Sequence, residues 1–588
     1  KEGVYVSQAD SLILLTDTNG DDKYDTKEYL ISGFDDHDTH HAISAFCADP
    51  SGAIYMGEGV FLHSNIESVY GTHRGTNGGH FRYNPKRRHL ERTAQLRIPN
   101  PWGTAFDKWG QSFFLHTSGT SVNWMAPGTV KSTYGQGMVA SKNLITSNAV
   151  RPTSGIEFIS SRHFPDEVQG DILLCNNIGF LGIKQHKIEE DGTGYKTSYR
   201  QDLLKSSEGN FRPVDLEFAP DGSLYVIDWS NVLIGHMQHN ARDPKRDHVH
   251  GRIYRITYPS RPLVKPAKID GASLTTLLEN LKTYEDRTRY RTRRELRGRK
   301  TDEVIAAIKK WTANLNKNDP NYEHHMLEAL WVTWGHNQID QTLMRQLLAS
   351  KDHKVRSAAT RAVRYNTHQV ADHAELLKKS ATDGHGRVRI EAITAASWLP
   401  KNTGLDILDA AQGAGTDNWI KGSMDFALAA LKNSIIEEPV QKINVPKHLT
   451  GPDALAYKLG HEVYHREAHC ATCHQPDGKG LPAAQFPPVA GTKWSTQNED
   501  RLIKLTLNGL YGPIEVLGKK YPGQVPMTQF GGILNDKEVA AVLTYVRNSF
   551  GNKASVITPK KVADIRATTR GKQGFYSPDE LLKQHPHE

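Results

Sequence analysis

Cys470-Ala-Thr-Cys473-His474 is the stretch from which the rest of the chain can be read. Two thiols separated by two residues, with an imidazole immediately after, form thioethers to haem vinyl groups and hold a histidine beneath the iron. The competing meaning of Cys-x-x-Cys is a redox disulfide or half of a zinc site, and no second Cys-x-x-Cys accompanies it. Met527 is the only methionine after His474 and ends the loop Tyr521-Pro-Gly-Gln-Val-Pro-Met527. A thioether ligand there raises the reduction potential, which suits an electron acceptor. One haem c is therefore expected, bound through Cys470 and Cys473, with His474 and Met527 axial.

Around that motif the sequence predicts a helix over Leu455 to His469, a Gly/Pro-rich loop over 477–491, a helix near 499–508 and a final helix from Asp536 to Asn548. This order resembles class I cytochromes c and defines a domain over 446–555. Residues 556–588 read as a polar tail, expected to lie over other domains or fray. Covalent haem implies maturation outside the cytoplasm, so a periplasmic, secreted or cell-surface location is expected. No leader peptide is visible, and Lys1 runs almost at once into strand-like Gly3-Val4-Tyr5-Val6-Ser7, which predicts a trimmed form with sequence missing upstream. No run of about 18 apolar residues is present, so no transmembrane segment is expected.

Upstream, residues 263–445 read as helical. Val355-Arg356-Ser-Ala-Ala-Thr-Arg-Ala-Val and Val388-Arg389-Ile-Glu-Ala-Ile-Thr-Ala-Ala follow turns containing Asp352 and Asp383, and Arg289-Tyr-Arg-Thr-Arg-Arg-Glu-Leu296 reads as a degenerate earlier copy. The pattern resembles a HEAT-like solenoid, whose helix pairs bury their faces by stacking, and predicts a spacer or docking platform. Residues 1–262 read as β. Asp49-Pro50-Ser51-Gly52, Asp107-Lys-Trp-Gly110 and Pro220-Asp221-Gly222 each precede an aromatic strand. Such units, tens of residues apart, predict a β-propeller of roughly five blades, incomplete at its N-terminus, with a β-sandwich as the alternative.

With 588 residues, the chain is expected to divide into two to four domains. The net charge of +8 is spread along the sequence, as on a solvated basic surface that favours acidic substrates or an acidic redox partner, with no nucleic-acid partner expected. Cys47 and Cys175, the two other cysteines, either pair or stay buried and reduced.

Two segments of the β region are dense in groups that exchange protons or bind hydroxyls. Asp35-Asp-His-Asp-Thr-His-His41 precedes a strand, with His40 and His41 as candidates. The second runs from Gly235 to Arg252 and contains His236, His239, Arg242, Asp247, His250 and Arg252. Near the start, Asp17-Thr-Asn19-Gly-Asp21-Asp-Lys-Tyr-Asp25 places oxygen ligands at alternate positions around a Gly turn, as in half of a calcium loop. A plain Asx-rich turn is the alternative.

The whole chain resembles the large planctomycete-type haem-binding proteins that join a propeller, HEAT-like repeats and a CxxCH cytochrome, often called membrane-bound dehydrogenases. Phe211-Arg212-Pro-Val-Asp215, Asp228-Trp229 and the His236-to-Arg252 loop carry that resemblance. More distantly the propeller is similar to soluble quinoprotein glucose and aldose sugar dehydrogenases. His41, nine residues before Pro50, matches their base, and Asn100-Pro101-Trp102-Gly103 matches a second segment, although Pro99 replaces an arginine. Gly170 to Gly179 resembles the stretch that supplies their cofactor-binding arginines, yet contains none. The resemblance thus implies pyrroloquinoline quinone (PQQ) while the cationic clamp for its carboxylates is missing.

Together these readings predict an extracytoplasmic oxidoreductase acting on a carbohydrate or polyol. His41 is the expected base; His236, His239, Arg242 and Arg252 position substrate or cofactor, with His40, Asn100, Arg212, Asp228, Asp247 and His250 as further candidates. The haem would pass electrons to an external redox protein or quinone pool. The rival functions are a carbohydrate lyase with an accessory haem and an electron-transfer or docking protein without substrate chemistry.

Overall fold

In the computed structural model, which describes residues 3–116, 121–132, 139, 141–150, 152–231, 247–433, 443–466, 469–482, 485–523 and 526–587, the three turn signals each open the second strand of a sheet. Asp49 Oδ1 accepts the N–H of Ala53 at 3.1 Å, Asp107 Oδ1 those of Trp109 and Gln111 at 2.9 and 2.8 Å, and Asp221 Oδ1 that of Ser223 at 3.0 Å. Asp107 and Asp221 thus close Asx turns and Asp49 bridges its turn to the residue four on, and Ile54–Glu58, Ser112–His116 and Leu224–Asp228 follow as strands.

Among the described residues five antiparallel sheets of three or more strands succeed one another along the chain, of three, four, three, four and three strands. From the second sheet on, the first strands stand side by side: Ser44–Ala48, Pro101–Phe106, Thr153–Phe158 and Pro213–Phe218. Glycines permit the approach, since a Cβ on Gly103 would lie 2.7 Å from Ser154 O and one on Gly155 2.6 Å from Asp215 Cα. All four begin with a register shift, at Ser44/Cys47, Pro101/Gly103, Thr153/Ile156 and Pro213/Asp215. Among the described residues the fifth sheet does not meet the first in this way, so the ring that the sequence predicts is not closed.

The helical region runs from Leu274–Asn280 to Asn418–Lys432. Its repetition is physical: Arg356 donates to Ser350 O at 2.9 Å, Arg389 to Asp383 O at 2.7 Å and Arg289 to Thr283 O at 2.6 Å. In each copy, the degenerate one included, a guanidinium fastens the turn six residues back. Arg356 also pairs with Asp383 at 2.7 Å, tying one copy to the turn of the next. The region is more than a spacer, because Phe113, Trp124 and Tyr195 of the sheets share one hydrophobic core with Trp331, Val363 and Ile393 of the helices.

The C-terminal region has its own core, whose buried residues lie between Leu449 and Leu581. Its helices include Gly451–His465, Glu499–Asn508 and Asp536–Asn548. The first starts four residues ahead of the predicted position, where Pro452 occupies the first turn and needs no N–H partner. The supposed tail is a correction: Pro559–Thr569 and Pro578–Gln584 are helices that bury Val562, Ile565 and Leu581 in this core. Isolated apolar residues at helical spacing, diluted by lysines, made the segment look merely polar. Cys47 and Cys175 are both free thiols. No described helix is long and apolar enough to cross a membrane.

Candidate functional site

The helix Cys470–His474 places its cysteines and histidine beside the loop after it. His474 Nδ1 lies 2.8 Å from the carbonyl of Pro487, which can only accept, so Nδ1 carries the proton and Nε2 is left for a ligand. A cavity is lined by Cys470, His474 and Met527, with Val489, Leu505, Phe530 and Val546 among its apolar walls. Cys473 shares the helix but does not line the cavity. Met527 is delivered by backbone pairing, its N–H donating to Leu510 O at 2.8 Å. Gly509 beside it has φ +73°, and a Cβ there would come within 2.4 Å of Met527 O. Desolvation pushes the Cys470 thiol up to about 12 and holds His474 below its ordinary value. Neutral imidazole and uncharged sulfur are the forms that haem c requires, so the donor set and its apolar wall fit the group.

A second constellation lies where the sheets' first strands begin. Asn100 and Arg212 directly precede Pro101 and Pro213, and His41 lies three residues ahead of Ser44, so these candidates stand near the starts of the first strands of three sheets. His41 is 1% exposed; its Nδ1 is 2.9 Å from Val60 O and its Nε2 3.1 Å from the amide of Asn100, 59 positions away. Val60 can only accept, so Nδ1 carries the proton and Nε2 presents a lone pair. For the Asn100 contact to be a hydrogen bond, the amide must turn its NH2 to the ring. Gly59 is required alongside, since a Cβ would lie 2.9 Å from His41 Cβ. Burial, then the neighbouring His40, push His41 down to about 4, not near neutrality as a tuned base would be. His40 packs on His41 with ring centroids 3.9 Å apart and pairs with Asp38 at 2.5 Å.

In the fifth sheet, Arg212 donates to Asn231 O at 3.0 Å and to Asn177 O at 2.8 Å, while its backbone N–H meets Asp228. Arg252 is bound by Asp228 at 3.0 Å and Glu208 at 3.1 Å. Asp247 and His250 pair at 2.9 Å on an exposed loop, held to this group through Asn231, which donates to Asp247 O at 3.0 Å. His236, His239 and Arg242 lie outside the described residues. Asn177, which sequence reading passed over, is 1% exposed, and among the described residues neither polar atom of its side chain has a hydrogen-bond partner. An orphaned buried amide beside Arg212 is the mark of a polar ligand or water. Glu208, Val60 and Pro487 were also missed. The last two act through backbone carbonyls, which carry no residue signature.

In the loop of Asp17, Asn19, Asp21 and Asp25, the acceptor oxygens take turn N–H groups: Asp17 that of Gly20 at 2.6 Å, Asn19 that of Asp21 at 2.9 Å, Asp21 that of Lys23 at 2.9 Å and Asp25 that of Thr18 at 3.1 Å. This is the Asx-turn geometry. The N–H of Gly20 above all, against desolvation and with help from the N–H groups of Asp22, Asp21 and Asn19, holds Asp17 below its ordinary value.

Residues 1–260 match a domain of unknown function (DUF7133), and residues 457–550 match cytochrome c. Cytochrome c-552 of Thermus thermophilus is 39% identical over 128 residues, covering 20% of this chain and 82% of that protein. The gluconate 2-dehydrogenase cytochrome c subunit of Pantoea cypripedii is 37% identical over 110 residues, 18% of this chain and 24% of that subunit. A crystal structure of glucose dehydrogenase aligns with 42% of this chain and 78% of its own, at 14% identity and a TM-score of 0.24, a likeness too slight to argue from. Through its C-terminal region, which bears haem c, the chain belongs to the cytochrome c family.

Proposed function

We propose that the protein is an extracytoplasmic oxidoreductase in which the sheet array, an incomplete propeller over 1–262 with HEAT-like helices packed on it, oxidises a carbohydrate or polyol. The observation that carries this reading is the meeting of His41 and Asn100 ahead of two neighbouring first strands, with a neutral, lone-pair Nε2 in a buried polar site. Oxidising an alcohol to a carbonyl releases two electrons and two protons. His41 Nε2 would take the hydroxyl proton where the hydroxyl replaces the Asn100 amide on it; the carbon-bound hydrogen would leave as hydride to a two-electron organic redox cofactor, which would release its proton to solvent and pass the two electrons on one at a time. Haem c, attached through Cys470 and Cys473 and ligated by His474 and Met527, supplies one-electron acceptance for delivery to an external redox protein or quinone pool. The similarity to dehydrogenase cytochrome subunits supports this reading.

PQQ does not fit the described residues. Its carboxylates need free cations, whereas Arg212 is held by carbonyls and Arg252 by carboxylates. Calcium in the Asp17 to Asp25 loop belongs to the same reading, as a structural ion. A second reading, a carrier whose sheets only bind, is favoured by the near-complete burial of His41.

Stopped-flow reduction of the haem by candidate sugars separates the two. His41→Ala should slow substrate-driven reduction by ~10²–10⁴-fold while dithionite still reduces the haem. The acid limb of the wild-type rate should fall near pH 4, because the imidazole stays neutral down to about 4. The same shift makes burial of His41 favourable to stability at and above its ordinary 6.5, a contribution lost as pH falls from 6.5 toward 4. Wild-type reduction rates in the variant would remove His41 from the mechanism.

A further inference from the structure

The helix ahead of the haem-binding segment ends in His461-Glu462-Val463-Tyr464-His465. Residues four apart lie one above the other on a helix, and these two imidazoles meet with centroids 4.2 Å apart and planes tilted 33°. Both rest against Tyr545, at 5.4 and 5.8 Å, and both are half-buried rather than enclosed. His465 Nδ1 lies 2.9 Å from the carbonyl of His461, so it donates, and Nε2 becomes the lone-pair nitrogen. A carbonyl on the far nitrogen is the arrangement that orients metal-ligating histidines. Among the described residues no hydrogen bond or ion pair engages the ring nitrogens of His461 or Nε2 of His465. Desolvation, then the neighbouring His465, lower the proton affinity of His461, which favours the neutral form that binds metal.

We propose that His461 and His465 form a two-imidazole site for a late first-row divalent cation, with Cu²⁺ and Zn²⁺ the best matched to nitrogen donors. The remaining positions fall to water, so the ion is exchangeable. The H-E-x-x-H spacing does not extend to peptidase chemistry. Glu462 is 67% exposed and paired with Arg466 at 3.2 Å, and no described third ligand joins the pair. Tyr464, between the two histidines, lines the haem cavity from the same helix. A cation here would fasten the last turn before the haem-binding segment.

The test is calorimetric titration of the holoprotein with Zn²⁺ near neutral pH, with Cu²⁺ electron paramagnetic resonance as a second readout. One equivalent of Zn²⁺ should bind to wild type and be lost in both His461→Gln and His465→Gln. The Cu²⁺ signal should show two nitrogen donors in wild type and lose that signature in each variant. His461→Phe keeps a ring against Tyr545 but removes both nitrogens. With an unchanged haem spectrum and melting temperature, it should lose the same equivalent. Equal Zn²⁺ stoichiometry in wild type and His461→Phe would overturn the proposal.

Discussion

The sheet–helix body and the cytochrome region differ in the weight they give to two ways of burying charge. In the body, guanidiniums meet carboxylates from distant segments: Arg82 with Asp49 and Arg92 with Glu58, both at 2.8 Å, and Arg289 with Glu328 at 3.0 Å. Glu391 collects Arg361, Gln111 and Ser357, joining a helix to a sheet turn. Carbonyl grips occur in the body too, at Arg212 and Arg289, but in the cytochrome region carbonyls are the main partners of the buried guanidiniums Arg501 and Arg547. Arg501 holds His585 O at 2.7 Å and Lys493 O at 2.8 Å, and Arg547 holds Ser555 O at 2.8 Å and Ser495 O at 3.1 Å. The first strategy requires two particular side chains to find each other. The second requires only one, and it fastens whatever backbone passes, including the last residues. The body is therefore sensitive to single lost partners, and the cytochrome region to the packing of its closing helices.

The largest effect that would sharpen this contrast is at Met527. Met527→Ala should abolish the weak long-wavelength band of a thioether-ligated ferric haem and lower its potential, because the thioether favours ferrous iron. The body's melting should not change. An unaltered spectrum and potential would remove Met527 from the iron. Next comes Glu391→Ala, which strands Arg361 in the interior and should cost about 3–5 kcal/mol in the body. Followed by urea with tryptophan fluorescence and the haem band as separate probes, only the former transition should move. Equal movement of both would show that the two regions do not melt independently. The smallest is Leu581→Ala, at about 2–5 kcal/mol for a fully buried leucine. It should lower the haem-band transition alone, whereas a mere tail would leave it where it was.

Reading the sequence reached the haem site because its chemistry is contiguous. Five residues state it, and the helices Glu499–Asn508 and Asp536–Asn548 fall where the sequence predicts them. The sheet turns were legible for the same reason, each aspartate acting within four residues of itself. His41 and Asn100 were each singled out, yet their contact spans 59 positions and only the strand pairing brings it about. The shared core of sheets and helices was hidden because apolar residues do not say which partner they will bury against. The closing helices were hidden because their apolar faces are only a few residues wide.

The register shifts that open four first strands have a consequence for how this protein can change. An extra residue at the same point in each unit bends the chain before regular pairing starts, so the side chains just ahead are displayed without serving the ladder. Asn100 and Arg212 sit directly ahead of two of these shifts and His41 three residues ahead of a third, and a different residue could be set at such a place while the sheet behind it keeps its register. Selection can then change the side chains ahead of these strands one position at a time.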